Sequence, residues 1–143
     1  MDLMKIRRRI LQAMAGGNVI KIEGTFSGNG TRSITIPCNF YPDIIYIDLD
    51  ATGVDLTTYS GILYDFIWKD KCTMSCYDNS TSTSATLFYG NDKSLGMADY
   101  NANTLANRNC FATVTGSAVT VDRTTTVGTY KSGYTYNYIF IKF

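Results

Sequence analysis

The chain has 143 residues, of which 45% are hydrophobic and only 17% charged, with a net charge of +1 at pH 7. That length fits one domain able to sustain its own core; low charge and 11 tyrosines exclude a disordered chain. No basic field exists to attract nucleic acid or anionic membrane, and histidine is absent, which removes His-based acid–base chemistry, His-dependent triads and His metal ligands.

Residues 2–15 read as a helix. Leu3, Ile6, Ile10 and Ala13 follow the 3-4-3 spacing of a coiled-coil seam, Leu11 and Met14 widen the stripe, and Gly16-Gly17-Asn18 ends it as a hinge. Lys5, Arg7, Arg8 and Arg9 supply its polar face. A seam of about two heptads is marginal alone in water, so it needs a partner: its own domain, identical helices or a larger assembly. The basic start followed by Ile10 to Ala15 imitates a signal peptide, but the apolar run is short and contains Gln12. No run is long enough for a transmembrane span, so neither a signal peptide nor membrane insertion is expected.

From Val19 the pattern has period two. Ile20, Ile22 and Phe26 share a strand face, and Ser27-Gly28-Asn29-Gly30 reads as a tight hairpin turn. Ile34, Ile36 and Cys38 alternate along a returning strand, with Pro37 marking an edge or bulge. Ile45, Ile47 and Leu49 alternate with Tyr46, Asp48 and Asp50; residues 51–60 form a loop. Ile62, Tyr64, Phe66 and Trp68 then share a face, and Cys72, Met74 and Cys76 continue an apolar alternation. Asp78 to Ser84 is a turn, Ala85 to Tyr89 a strand, and Gly90 to Asn109 the longest irregular stretch. Cys110 to Val114, Ala118 to Arg123 and Tyr134 to Phe143 complete about nine strands. The expected class is all-β: an antiparallel β-sandwich, Greek-key or jelly-roll-like, preceded by a short N-terminal helix. The expected division is a helix and hinge over 1–17 and a sandwich domain over 18–143.

In the last strand Ile139, Ile141 and Phe143 form one face, and Tyr134, Tyr136, Tyr138 and Phe140 the other. A solvent-facing sheet surface should be polar, so apolar material on both faces implies that the sheet is covered twice, once by its own core and once by another subunit or a ligand; Tyr rings lying flat with their hydroxyls in water are the alternative. In a cyclic assembly the Tyr134, Tyr136 and Tyr138 row is expected between sandwiches.

Cys72 and Cys76 on one strand have Cα atoms about 13 Å apart at roughly 3.3 Å per residue, beyond disulfide reach. All four cysteines, with Cys38 and Cys110, are read as buried free thiols. No metal site and no cofactor are expected. Asp48 and Asp50 are the one local carboxylate pair, read as solvated strand-end groups; no calcium loop, phosphate loop or Gly-x-Ser-x-Gly elbow is present. The chain therefore reads as non-enzymatic. Polar-aromatic stretches carry more signal, because flat rings cover the apolar face of a sugar while Asp, Asn and backbone groups bond its hydroxyls. Tyr77-Asp78-Asn79 and Tyr89-Gly90-Asn91-Asp92 flank a strand, and Tyr100-Asn101-Ala102-Asn103 lies in the long loop. Candidate ligand-binding residues are thus Tyr77, Asp78, Asn79, Tyr89, Asp92, Tyr100, Asn101 and Asn103; ordinary turn chemistry is the alternative.

Two features carry a resemblance. Lys5-Ile6-Arg7-Arg8-Arg9-Ile10-Leu11 with its Gly-rich hinge is similar to the start of bacteriophage and prophage tail-region proteins of Gram-positive hosts. The stretch Gly24 to Asp50 (Gly24-Thr25-Phe26, a turn, Ser33-Ile34-Thr35-Ile36-Pro37 and Asn39-Phe40-Tyr41-Pro42-Asp43-Ile44-Ile45-Tyr46-Ile47) resembles the opening of phage fibre-tip and H-type lectin-like β-sandwiches, where a hairpin leads into a Phe-x-Pro-x-hydrophobic strand. The resemblance covers about a third of the chain, and its motifs are short. It implies a virion protein made in the host cytoplasm, a trimeric sandwich at the end of a stalk, contact with a host-surface polysaccharide, and no catalytic residue. The expected assembly is a homotrimer with Leu3, Ile6 and Ile10 and the Tyr134, Tyr136 and Tyr138 row at its interface. Other virion or tail proteins would be engaged through the N-terminal helix. A purely structural virion or decoration protein without a ligand is the alternative.

Overall fold

The computed structural model describes residues 19–69, 72–79, 83–88, 110–123 and 128–143, with the single positions Arg8 and Gln12. Among them are nine strands: β1 (Ile20–Ser27), β2 (Ile34–Pro37), β3 (Ile44–Leu49), β4 (Ser60–Trp68), β5 (Cys72–Asn79), β6 (Thr83–Phe88), β7 (Cys110–Val114), β8 (Ala118–Arg123) and β9 (Thr135–Lys142). All pairings are antiparallel. Six strands form a large sheet in the order β1-β9-β3-β4-β5-β6, and three form a small sheet in the order β2-β8-β7.

The expected class needs correction. The described elements are antiparallel strands in two sheets, and no helix is an element among them. Arg8 and Gln12, isolated and exposed, do not establish one. The other residues of the expected helix lie outside the described ones, and 3-4-3 spacing records only where apolar residues recur.

Alternation explains the strands. In β3, Ile45, Ile47 and Leu49 are buried on one face while Tyr46 and Asp48 are half-buried on the other. The first group meets Ile36, Val119, Val121, Ala112 and Cys110 of the small sheet in one apolar cluster, which Ile62, Ile67, Tyr136 and Phe140 complete. The two sheets thus share a core. The outer face of the small sheet is polar: the Thr35 and Thr120 hydroxyls hydrogen-bond at 2.9 Å, and Arg32 pairs with Asp122 at 3.6 Å.

Three further expectations change. The turn at Ser27 to Gly30 does not close a hairpin: β1 pairs with β9, and β2 pairs with β8 in the other sheet. The chain crosses between sheets there. The Asn29 carboxamide accepts from Thr31 N–H and hydroxyl, both at 2.9 Å, and Thr31 bridges to Tyr130. Gly28 is required by close approach, because a Cβ at that position would sit 2.1 Å from the Lys131 carbonyl oxygen. Secondly, Ile62 leaves the expected face. A register shift between Ile62 and Tyr64 sends Ile62 into the shared core, while Tyr64, Phe66 and Trp68 lie on the opposite, outer side.

The third change concerns β9. Tyr136 is fully buried, and Tyr134 and Tyr138 pack against the shared core. Ile139 and Ile141 belong to a separate cluster. The Tyr row expected between subunits is therefore inside the chain, and the Ile row faces outward. Period-two alternation sorts residues into two faces but carries no sign saying which face is inner. Phe26 stacks on Tyr136 at 5.4 Å between ring centres, and Tyr130 meets both rings edge-on; such pairs add about 0.5–1.5 kcal/mol each beyond their buried area.

Candidate functional site

The outer face of the large sheet is built by register. On β9, β3 and β4, Ile141, Ile44 and Trp68 lie side by side; the next rung holds Ile139, Tyr46 and Phe66; the third holds Asn137, Asp48 and Tyr64. Polarity and exposure change together along these rungs. Ile44, Ile141 and Phe66 are fully buried, Tyr46 and Ile139 are half-buried, and in the third rung Asp48 and Tyr64 are half-buried while Asn137 is exposed. The face thus grades from a covered apolar patch into a polar-aromatic row at its open end.

Hydrogen bonds hold that row. Asp48 Oδ2 accepts from the Tyr46 hydroxyl at 3.3 Å, and Asp48 Oδ1 accepts from Asn137 Nδ2 at 3.2 Å. The carboxylate is thereby aimed, with a carboxamide on one side and a phenol ring on the other. A carboxylate offers about four acceptor sites and a carboxamide both donates and accepts. Beside flat aromatic rings, this is the chemistry that engages sugar hydroxyls and the apolar face of a pyranose.

The loop joining β3 to β4 adjoins the open end. Asp50 Oδ1 accepts from Thr52 N–H at 3.1 Å; Asp55 Oδ1 accepts from Thr57 N–H at 3.0 Å and from its hydroxyl at 2.6 Å. Bonds from the Thr52 backbone and then its side chain hold the Asp50 carboxyl below the usual carboxylate range, and the Thr57 hydroxyl and backbone do the same for Asp55. Asp48 and Asp50 are therefore engaged with different partners.

Beneath the outer face lies a buried polar network. Lys131 N–H donates to the Tyr136 hydroxyl at 2.8 Å, the Tyr136 and Tyr59 hydroxyls are 2.6 Å apart, and Tyr59 donates to the Ile62 carbonyl at 2.7 Å. Because Tyr59 spends its proton on Ile62, Tyr136 donates to Tyr59. Burial pushes both phenols above their usual range. Nearby, the buried Asp65 carboxylate accepts from Ser75 at 2.7 Å and from the Tyr130 hydroxyl. These bonds tie β4, β5 and β9 to the segment over 130–131 and satisfy polar groups that burial would otherwise penalise.

Of the ligand-binding candidates, Tyr77, Asp78 and Asn79 end β5, opposite Ile62, Gly61 and Ser60 of β4. Tyr89, Asp92, Tyr100, Asn101 and Asn103 lie outside the described residues, as do Leu3, Ile6 and Ile10. Sequence reasoning treated Asp48 only as a strand-end carboxylate and passed over Tyr46, Tyr64 and Asn137. Alternation already put Tyr46 with Asp48, but their union with Asn137, 89 positions away from Asp48, needs the β3–β9 pairing. Cys38 and Cys110 are buried free thiols, and the Cys38 thiol donates to the Phe40 carbonyl at 3.2 Å. Among the described residues, no group of three or more His, Cys, Asp or Glu could hold a metal ion, and no helix is long and apolar enough to cross a membrane.

Comparison with known proteins finds no match: no family model, no curated protein and no solved structure is significantly similar to this chain.

Proposed function

We propose that this chain is a non-enzymatic module of a phage or prophage virion or tail that binds a host-surface glycan at the row Tyr64, Asp48 and Asn137, with Tyr46 as the neighbouring ring. The observation that carries the reading is the aimed Asp48 carboxylate between a carboxamide and an aromatic ring at the open end of a sheet face. The virion setting rests on the sequence resemblance alone. Titration with host cell-wall polysaccharide tests the site. Saturable binding is expected in the parent protein, with a loss of tenfold or more, about 1.4 kcal/mol, in Asp48→Asn and Asn137→Ala. The same titration on Tyr77→Ala and Tyr100→Ala tests the loop candidates. Absence of binding in the parent protein refutes the glycan reading.

The structural reading without a ligand is favoured by one observation: Ile20, Tyr41 and Phe143 are exposed apolar side chains at one end of the sheets, where Ile20 pairs with Lys142 and Asp43 accepts from the Phe143 N–H. Homotrimeric assembly belongs to either reading and no longer draws on the Tyr134, Tyr136 and Tyr138 row. Light scattering behind size exclusion decides it, and a stable monomer at micromolar concentration removes it.

A further inference from the structure

β1 stands at the end of the large sheet and, among the described residues, pairs only with β9. Its register fixes which backbone groups are left over. The Gly28 N–H donates to the Tyr134 carbonyl at 2.9 Å, in the register that sets Ile20 against Lys142. In an antiparallel pair each residue turns its N–H and C=O to one side, and successive residues turn to opposite sides. Ile22, Gly24 and Phe26 therefore bond β9, while Lys21, Glu23, Thr25 and Ser27 direct their backbone groups to the open edge. The side chains of those four are exposed. Proteins blunt such edges with short strands, proline or bulges. β2, at the edge of the small sheet, has 4 residues and ends in Pro37, but β1 has 8 residues, no proline and an unbroken register.

We infer that the open edge of β1 binds the β1 edge of a second copy of this chain, antiparallel across a two-fold axis at Ile22. Charge decides both the partner and the register. Edge-directed residues must face edge-directed residues, which limits the symmetric registers to those with the axis on a residue of β1. Centred on Ile22, Lys21 faces Glu23 of the partner subunit and Glu23 faces Lys21 of the partner subunit, each pair exchanging two backbone hydrogen bonds. Centring on Lys21 or Glu23 sets like charges against each other, and centring on Gly24 or Thr25 sets Glu23 against Thr25 or Ser27. Lys21 and Glu23 already pair within one strand at 3.4 Å, so the contact closes a ring of alternating charges. Charge of one sign along an edge repels a second copy; a lysine followed two residues on by a glutamate does the reverse.

The apolar side of β1 supports the same register. Ile22 meets its own copy on the axis. Ile20, 51% exposed, falls opposite Gly24 of the partner subunit, where no side chain stands. The Tyr138 ring fills the space beside Gly24, its hydroxyl 2.7 Å from where a Cβ would be, so Ile20 gains an aromatic neighbour. All of this pairing falls within residues 19–25. The contact extends the large sheet continuously from one copy into the next. It rests on the fold alone and stands whether or not a glycan binds; where the chain also forms trimers, it pairs them into hexamers.

Light scattering behind size exclusion on the full chain at high micromolar concentration should show an even number of copies; an odd number, a monomer included, overturns the inference. Lys21→Glu and Glu23→Lys each set like charges against each other across the axis, and each should raise the dissociation constant of self-association at least tenfold. Mixed together, the two variants restore both opposite-charge pairs and should associate with each other as tightly as the parent does with itself. The double variant Lys21→Glu/Glu23→Lys should also associate like the parent. Parent-like self-association of either single variant, or no rescue on mixing, overturns the inference, with far-ultraviolet circular dichroism showing that the variants are folded. Hydrogen exchange read by NMR on the unmodified protein decides the matter even if a variant fails to fold. The Lys21 and Glu23 amides should gain protection as concentration rises, while β9 keeps those of Ile22 and Gly24 protected throughout. Unprotected Lys21 and Glu23 amides at the highest concentration overturn the inference.

Discussion

Replacing Tyr136 by Phe removes one oxygen from a buried chain of hydrogen bonds and leaves the ring in place. In the parent protein that oxygen accepts from Lys131 N–H at 2.8 Å and donates to Tyr59 at 2.6 Å. The variant keeps the stack of Phe26 on ring 136, so no cavity forms. It leaves the half-buried Lys131 amide without this acceptor, while Tyr59 retains its bond to the Ile62 carbonyl. Stranding a buried polar group costs about 1–3 kcal/mol. At this chain length 1 kcal/mol corresponds to roughly 3–4 °C, so the expected fall in Tm is about 3–12 °C. Tyr59→Phe should cost a similar amount, because it removes both the donor to the Ile62 carbonyl and the acceptor of the Tyr136 hydroxyl. The two changes share a bond, so a double-mutant cycle in urea should show a coupling of about 0.5–3 kcal/mol. Tyr138→Phe is the control: its ring tilts against Phe140 at 5.2 Å, and its removal of a hydroxyl should stay within about 0.5 kcal/mol. A Tyr136→Phe effect below that figure, or a coupling of zero, refutes the network. A change of oligomeric state in Tyr136→Phe would restore the row to an interface and refute its placement in the core.

The same two phenols set an alkaline limit. Their folded pKa values are raised by burial, so the neutral forms stabilise the fold below the unfolded tyrosine value of about 10. That stability is lost as pH rises above about 10. Urea midpoints should fall more steeply with pH above 10 in the parent than in the Tyr59→Phe/Tyr136→Phe double variant; equal slopes refute the burial argument. At Gly28 a Cβ would stand 2.1 Å from the Lys131 carbonyl oxygen, a backbone atom, whereas at Gly53 it would meet nothing within 4 Å. Gly28→Ala should therefore cost about 1–3 kcal/mol or more through overpacking. Gly53→Ala should cost only the strain of its positive φ, about 1–2 kcal/mol, and a smaller loss at Gly28 than at Gly53, read by thermal melts, refutes the close approach.

Local chemistry made many elements legible. The strands Cys110–Val114 and Ala118–Arg123 have the bounds that alternation and turn residues indicate, and Ile45, Ile47 and Leu49 share the inner face as their period requires. The candidate row was half legible: Tyr46 and Asp48 are two apart on one strand, so they must share a face. Pairing between distant strands was not. It depends on the closure of long loops, and no residue pattern within β1 says that its neighbour is the last strand rather than the next one.

The sequence by itself determined that this chain forms strands, the bounds of β7 and β8, and that β9 carries apolar residues on both faces. Those properties follow from side-chain period and backbone preference, which act over a few residues. Tertiary structure alone decided the rest. Insertion of β9 between β1 and β3 turned the Tyr row inward and the Ile row outward. The shift between Ile62 and Tyr64 divided one apparent face of β4 between two sides of the sheet. The β3–β9 register brought Asn137 to Asp48. In each case two arrangements have the same local pattern, and the choice between them lies in which apolar surfaces meet when the sheets pack.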